Sequence, residues 1–292
     1  MKILICNDGS EQADRALGLG STIAAGCGAE VTVLGIVEAA AESEKVAASL
    51  NRGLSILQDK KVKAELITRT GKPLAEIVRR TQEVNYDLIL IGAVRKQRHG
   101  AFWMSSKSYK IIKEVKPPVM AVAGNTSSLK RILICSGGKP YIENAIQLTG
   151  EIAGGVGAEV SILHVMPEAP AIYAHLPRMH EGVETLLQSH SELGANLRHA
   201  QELLQARQVT AKVLLRQGPV LEEVLHEICE RNYDLVVTGS ALHRSLSTYV
   251  LGDVTREIVN HASCPVLVVR SLVKPWRSHF SLRSLLGRTD LF

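Results

Sequence analysis

The chain has 292 residues, of which 46% are hydrophobic and 22% charged, and this composition is typical of a folded globular protein rather than a disordered or fibrous one. More than half of its net charge of +5 lies in residues 271–292, so the rest of the chain carries too little positive charge for a nucleic-acid-binding surface. No apolar run is long enough to span a bilayer, no signal peptide precedes the first predicted strand, and the five scattered cysteines predict free thiols in a cytoplasmic protein.

In the first half, short apolar segments alternate with longer amphipathic ones. The apolar segments are typical of strands buried on both faces of a parallel sheet, and the amphipathic segments predict the helices between them. The predicted strands are 3–6, 31–37, 62–67, 88–91 and 119–122. The predicted helices are about 10–26, 42–60, 72–84 and 105–115, and a polar linker follows at 124–130.

The second half repeats the first. The motif at 2–6 returns at 131–135, an offset of 129, whereas Asn-Tyr-Asp-Leu at 85–88 returns at 232–235, an offset of 147. Because the offset grows once, by 18 residues, we expect two copies of one domain with a single insertion around 166–190 in the second. The predicted strands there are 132–135, 159–165, 209–215, 235–238 and 266–269, and one long helix is predicted over about 181–207.

These elements predict an α/β fold with two tandem, doubly wound, parallel five-stranded sheets of the Rossmann-like kind. Domain 1 should cover 1–124 and domain 2 should cover 129–271. The remaining tail, 272–292, interleaves apolar and basic residues, which suits contact with an anionic membrane surface or a protein partner. A disordered tail or a strap across the protein's own surface are the plainer alternatives.

Three motifs carry a resemblance to a known family. Ile-Leu-Ile-Cys-Asn-Asp-Gly-Ser opens the first half at 3–10, Gly-Ala-Glu-Val precedes the second strand of both halves, and Ser-Cys-Pro-Val-Leu-Val-Val-Arg closes the second half at 263–270. Together they resemble the universal stress protein family over 1–271. The resemblance implies an adenine-nucleotide-hydrolase-like fold and an intramolecular pairing of the two domains through their fifth strands, 119–122 and 266–269.

The resemblance also implies where a nucleotide site would lie in domain 1. ATP-binding members use an Asp after strand one and, after strand four, a loop of Gly, two residues, Gly, nine residues, Gly and then Ser or Thr. The glycines let backbone amides approach the phosphates, and the hydroxyl caps the next helix. Domain 1 keeps some of these residues, but Arg95 and Ser105 replace two glycines. The candidate site residues are Asp8, Gly92, Arg95, Ser105 and Ser106.

Whether ATP or AMP binds in domain 1 depends on two opposed effects. Arg95 narrows the loop, but its guanidinium supplies a positive charge that glycine lacks. Basic neighbours in the same stretch could replace backbone amides as phosphate donors. The plain alternative is a solvated basic loop over a site that has lost its function. No cofactor is therefore assigned with certainty.

Domain 2 departs further from the pattern. It keeps Gly239 and Gly252, but Gly137 replaces the Asp, Leu242 the second glycine and Asp253 the final hydroxyl. As an N-cap, the carboxylate of Asp253 would stabilise its helix and repel phosphates. We therefore predict that domain 2 binds no triphosphate at 239–253.

The predicted function is that of a non-enzymatic, stress-associated regulatory or binding protein with degenerate nucleotide sites. One alternative is an ATP- or AMP-binding stress sensor acting through domain 1. A remoter alternative is an ATP-using enzyme, because Ser-Gly-Gly at 136–138 resembles the phosphate loop of ATP pyrophosphatases. No metal site is predicted, since the histidines in and after the insertion lack ligand spacing. A homodimer and a protein partner are left open.

Overall fold

The structure is a computed structural model, and it describes residues 1–93, 95–98, 101–124, 126–138, 142–167, 182–241 and 252–271. The tail at 272–292 and the central part of the predicted insertion, 168–181, lie outside these ranges. Within them, no helix has both the length and the apolar character needed to cross a membrane.

The two halves share the order of their five sheet strands and of the main helices between them. The first half also has two short strands after its fourth sheet strand, and the second has an additional short helix after its second sheet strand. In the first half the elements are β1 Lys2–Asn7, α1 Glu11–Cys27, β2 Glu30–Val37, α2 Ser43–Asp59, β3 Ala64–Thr70, α3 Pro73–Glu83, β4 Leu88–Gly92, β5 Arg95–Arg98, β6 Ala101–Met104, α4 Ser106–Glu114 and β7 Val119–Val122. In the second half they are β8 Arg131–Ser136, α5 Glu143–Val156, β9 Glu159–Met166, α6 Val183–Gln188, α7 Glu192–Gln205, β10 Ala211–Gln217, α8 Val220–Arg231, β11 Leu235–Ala241, α9 Asp253–His261 and β12 Val266–Ser271.

The first helix of each half ends in the same way because each carries the same local signal. Gly28 follows α1 and Gly157 follows α5, and both adopt the left-handed conformation, with φ of 60° and 71°. Their amides donate to the carbonyls of Ala24 and Ala153, and this hydrogen bond terminates each helix. The next strand begins two residues after each glycine. The repeated Gly-Ala-Glu-Val motif thus encodes a helix end followed by a strand start.

The two predicted five-stranded parallel sheets are present, and they join into one ten-stranded sheet. The strand order is β10-β9-β8-β11-β12-β7-β4-β1-β2-β3, parallel within each half and antiparallel between β12 and β7. Met120 pairs with Leu267 at the centre of this junction. The two residues occupy equivalent positions of the two copies, at an offset of 147, so a pseudo-two-fold axis passes through the pair.

A second contact on the same axis joins α1 to α5. A Cβ atom on Gly26 would lie 2.4 Å from the carbonyl oxygen of Gly155, and a Cβ on Gly155 would lie 2.7 Å from Sγ of Cys27. The two glycines are again equivalent, at an offset of 129. The helices can cross this closely because neither residue has a side chain.

The core forms two layers, one on each face of the sheet. One cluster lies under α1, α2, α5 and α7, and the other lies under α3, α4, α8 and α9. Each cluster contains buried side chains from both halves, for example Met120 with Leu267 in the first and Val119 with Val266 in the second. The apolar interior is therefore continuous across the junction.

Several predicted element bounds differ from those of the structure. The third strand of each half begins two residues later than predicted and extends to Thr70 or Gln217. Both are edge strands with polar residues at their carboxyl ends, so the apolar run stops before the strand does. The predicted single helix over 181–207 is two helices. The helix is interrupted at Ser191, which is the N-cap of α7. Its Oγ accepts a hydrogen bond from the amide of Gly194 at 3.0 Å.

Candidate functional site

The cleft of domain 1 lies at the carboxyl ends of β1 and β4, the neighbouring strands where the winding direction reverses. After β1 the chain turns sharply at Gly9, whose φ is +75°. Asn7 Oδ1 accepts from the amide of Gly9 at 2.7 Å, and Asp8 Oδ1 accepts from the amide of Ser10 at 3.0 Å. Asp8 is thus held on an exposed turn, with one carboxylate oxygen already hydrogen-bonded.

An ion pair that the sequence analysis did not predict lies at this cleft. Lys107, the second residue of α4, donates through Nζ to Oε2 of Glu38, which follows β2. This hydrogen bond raises the pKa of Lys107, and the nearby carboxylates of Asp8 and Glu42 raise it further. The ammonium group is therefore surrounded by three carboxylates, one after each of the first two strands and one in the turn before α2.

The segment after β4 is a β-hairpin and not a glycine-type phosphate loop. Arg95 pairs with Met104, and Arg98 pairs with Ala101, in an antiparallel ladder. Extended strands point successive amides in opposite directions, whereas a phosphate-binding nest needs them to converge. The backbone of Arg95 lies in β5, but its side chain is outside what the structure describes, so the predicted competition between charge and crowding stays a prediction.

Gly92 has a packing role in the structure. A Cβ atom there would lie 2.5 Å from the carbonyl carbon of Gln12 and 2.6 Å from the amide nitrogen of Ala13, both in α1. Glycine is therefore required to let the start of α1 approach β4, whether or not a ligand binds. Its retention in the sequence is not by itself a sign of phosphate binding.

The hydroxyl that caps α4 belongs to Ser105 rather than Ser106. Ser105 Oγ accepts from the amide of Ser108 at 3.2 Å, whereas Ser106 is the first residue of the helix and is exposed. The prediction that the last hydroxyl of the motif caps this helix was therefore wrong by one residue. Both serines lie at the positive end of α4, next to Lys107.

In domain 2 the positions equivalent to these three charged residues are uncharged. The equivalents of Asp8, Glu38 and Lys107 are Gly137, Pro167 and Val254. The prediction that Asp253 is the N-cap of its helix was wrong, because Gly252 holds that position and Asp253 is the first helical residue. An acidic first residue still stabilises the helix through its dipole. Leu242 lies outside the described residues.

The thiols and histidines give no sign of chemistry in the described part of the chain. None of the five cysteines, all of which the structure describes, forms a disulfide. Burial raises the pKa of Cys6, with a contribution from Asp8, and raises that of Cys135 to about 12, with a contribution from Cys264. These thiols stay protonated at neutral pH, which makes them poor nucleophiles. No group of three His, Cys, Asp or Glu among the described residues could hold a metal ion.

Comparison with known proteins gives the same result for both halves. The family model described as Universal stress protein family matches residues 1–123 and again 128–270. The universal stress protein YxiE of Bacillus subtilis is 26% identical over 145 residues, which are 48% of this chain and 98% of that protein.

Two solved structures resemble the whole chain. A universal stress protein from Archaeoglobus fulgidus is 20% identical, covers 92% of this chain and 98% of its own, and superposes with a TM-score of 0.70. A universal stress protein from Pseudomonas aeruginosa is 16% identical, with coverages of 92% and 93% and a TM-score of 0.67. At these identities the likeness establishes the fold.

Proposed function

The chain belongs to the universal stress protein family through both of its halves, and from this membership we propose that it is a non-enzymatic, stress-associated regulatory protein whose two nucleotide sites are degenerate. It acts by binding rather than by turnover. A cytoplasmic location stays a prediction from the sequence.

The observation that carries this proposal is the charge around Lys107. Its ammonium already donates to Glu38, and the carboxylates of Asp8 and Glu42 lie close enough to raise its pKa. Around this side chain, the three carboxylates outnumber the one ammonium group. A triphosphate entering the cleft would meet repulsion, and Lys107 could pair with a phosphate only by leaving Glu38.

Within the part of the chain that the structure describes, the buried thiols of the two halves are in keeping with a non-enzymatic role. A nucleophile or general base needs a pKa shifted toward neutrality, whereas burial moves the pKa values of Cys6 and Cys135 away from it. In domain 2 the Ser-Gly-Gly turn is held by local contacts. The amide of Gly138 donates to Ser136 Oγ at 3.2 Å, and its carbonyl accepts from Asn196 Nδ2 at 3.0 Å.

The test is the nucleotide content and activity of the full chain. We expect the purified protein to release no stoichiometric nucleotide on denaturation, to show no saturable heat on titration with ATP or AMP, and to hydrolyse no ATP. Bound nucleotide in the purified protein would contradict the degenerate-site proposal. Turnover that exceeds that of a buffer control would contradict the non-enzymatic one.

A second candidate is an ATP or AMP sensor acting through domain 1, and the start of α4 favours it. Ser105, Ser106 and the exposed ammonium of Lys107 lie together at the positive end of that helix, an arrangement that suits an anion. In this case Arg95→Ala should weaken binding by about 1.5–3 kcal/mol, the range for a hydrogen bond to a charged group.

Site-directed variants separate this sensor from binding elsewhere. Asp8→Ala and Ser106→Ala should both weaken nucleotide binding, whereas Val254→Ala, at the position of domain 2 equivalent to Lys107, should not. Binding unchanged in Asp8→Ala, Arg95→Ala and Ser106→Ala would place the nucleotide outside this cleft. If crowding by the Arg95 side chain prevents binding, the wild-type chain should bind no nucleotide, and Arg95→Gly should gain affinity for it.

A further inference from the structure

We propose that the cleft of domain 2 binds a small uncharged molecule with an apolar body and one hydrogen-bond donor. This cleft lies at the carboxyl ends of β8 and β11, where domain 1 carries its ion pair. It forms a cavity of about 310 Å³, which is within the range of small-molecule sites. The proposal does not depend on whether domain 1 binds a nucleotide.

The lining of the cavity defines the charge of its ligand. Among the described lining residues, the ionisable side chains are those of His164 and Cys135, and the Cys135 thiol stays protonated at neutral pH. The walls are aliphatic and come from β9, α8 and α9 and from the residue before α5. They include Ile142, Leu163, Val165, Val220, Val224, Val254 and Ile258. Such walls cannot compensate the desolvation of a charged ligand, so they favour an uncharged one.

Exposed apolar side chains at the rim show that this surface is unusual in the molecule. Within the described residues, only three large apolar side chains are classed as exposed. Two of them line this cavity, namely Val220, 43% exposed, and Val254, 41% exposed. The domain 1 equivalents of these two positions are Pro73 and Lys107. A clustered apolar rim on a concave surface is typical of a binding site.

The floor of the cavity is polar but internally satisfied. The hydroxyls of Thr238 and Thr255 lie 3.1 Å apart, and Thr255 Oγ1 donates to the carbonyl of Gly239 at 3.2 Å. Both threonines are buried. Because these groups bond to one another, they demand no partner from a ligand and leave the cavity compatible with an apolar one.

His164 supplies an acceptor that a ligand could use. Its Nδ1 lies 2.9 Å from the carbonyl oxygen of Ser136, which can only accept, so Nδ1 carries the proton. In the neutral ring Nε2 is then an acceptor, and it makes no hydrogen bond within the described part of the chain. His164 lines the cavity and replaces Gly35 of domain 1. A ligand with one O–H or N–H group would match it.

N-phenyl-1-naphthylamine, an uncharged fluorophore with one N–H, is a suitable probe for the full chain. We expect saturable binding to wild type that ATP does not displace. Val254→Lys should weaken binding about tenfold or more, because it places an ammonium at an apolar wall. The matched control is Ile56→Lys, an exposed apolar position on α2 that does not line the cavity. This control should bind the probe as wild type does.

Three outcomes would overturn the proposal: no saturable binding to wild type, binding unchanged in Val254→Lys, or an equal loss in Ile56→Lys. The role of His164 is tested separately with 1-naphthol and naphthalene. Wild type should prefer the alcohol by about threefold to tenfold, the value of one neutral hydrogen bond, and His164→Leu should remove that preference. A preference retained in His164→Leu would overturn the assignment of Nε2 as the acceptor.

Discussion

The two halves share one scaffold and differ where that scaffold opens to solvent. The positions on the pseudo-two-fold axis match in the two copies, Met120 with Leu267 and Gly26 with Gly155. The positions at the clefts do not match, and the charged set of domain 1 corresponds to Gly137, Pro167 and Val254 in domain 2. Residues that hold the copies together are thus constrained by packing, whereas residues at the carboxyl edge are free to specialise.

The largest expected effect tests the shared scaffold at the crossing of α1 and α5. Gly26→Ala places a methyl group 2.4 Å from the carbonyl of Gly155, so we expect a loss of about 2–3 kcal/mol in the free energy of unfolding. Denaturant titration should show a single transition, for both halves share each core cluster.

The matched control lies in the same helix. A Cβ on Gly18 would meet nothing within 4 Å, so Gly18→Ala should raise stability by up to about 1 kcal/mol through helix propensity. Two separate transitions in Gly26→Ala would show that the halves unfold independently. Equal effects of Gly26→Ala and Gly18→Ala would show that the helix crossing is not tightly packed.

The next effect compares the charge networks beside the third strands. Arg216 on β10 contacts Glu223, Glu227 and Glu230. Glu227 is only 2% exposed, and it also accepts from Tyr233 at 2.9 Å. Arg216→Ala should therefore lower the free energy of unfolding by about 1–3 kcal/mol, the cost of an incompletely paired buried charge.

The equivalent residue of domain 1 provides the comparison. Arg69 contacts Glu76 and Glu83, whose side chains are 11% and 38% exposed, so the carboxylates left behind are better solvated. We expect Arg69→Ala to cost less than Arg216→Ala in parallel denaturant titrations. The reverse order would mean that burial does not govern these networks.

A smaller effect is expected for the ion pair of the charged cleft. Glu38 and Lys107 are both partly exposed, and pairs of this kind contribute about 0.2–1 kcal/mol. Lys107→Val, which gives domain 1 the residue found in domain 2, should change the thermal midpoint only slightly. A large loss of stability would show that the pair holds the domain together rather than lying across a cleft.

The smallest effect is a pH dependence of the domain 2 network. The hydrogen bond from Arg216 lowers the pKa of Glu230 in the folded state. A lowered folded pKa contributes stability that is present above the unfolded pKa and is lost as pH falls through the folded one. Denaturation midpoints of wild type should therefore fall in acid, and Arg216→Ala should show a shallower fall. Lys60→Ala, whose ammonium contacts the hydroxyl of Thr22, should retain the wild-type slope.

The fold could be predicted because its information is local and repeated. Apolar runs at matched offsets located the strands of both halves, and the Gly-Ala-Glu-Val motif marked the approach to the second strand of each, where the structure places the helix ends at Gly28 and Gly157. The break between α6 and α7 escaped because it depends on the side chain of Ser191 competing for a backbone amide. The hydrophobic periodicity of the sequence carries no information about that hydrogen bond.

The candidate site was less predictable because its decisive contacts join distant parts of the chain. Glu38 and Lys107 are 69 residues apart, and only the folded sheet brings them together. Gly92 matched a ligand-binding motif, although packing against α1 already requires glycine there. A comparison of the two copies could have drawn attention to this position. At the offset of 147 that aligns the later strands, Lys107 of domain 1 corresponds to Val254 of domain 2.

The antiparallel junction of β7 and β12 also determines which parts of the sheet remain able to recruit another chain. By pairing with each other, these two strands satisfy the hydrogen-bonding edges that would otherwise template aggregation, and β3 and β10 become the ends of the sheet. Both outer strands carry charged residues, with Glu65 and Arg69 on one and Lys212 and Arg216 on the other. Charges on an outer strand oppose a further strand, so duplication has protected the chain against growing into a fibre.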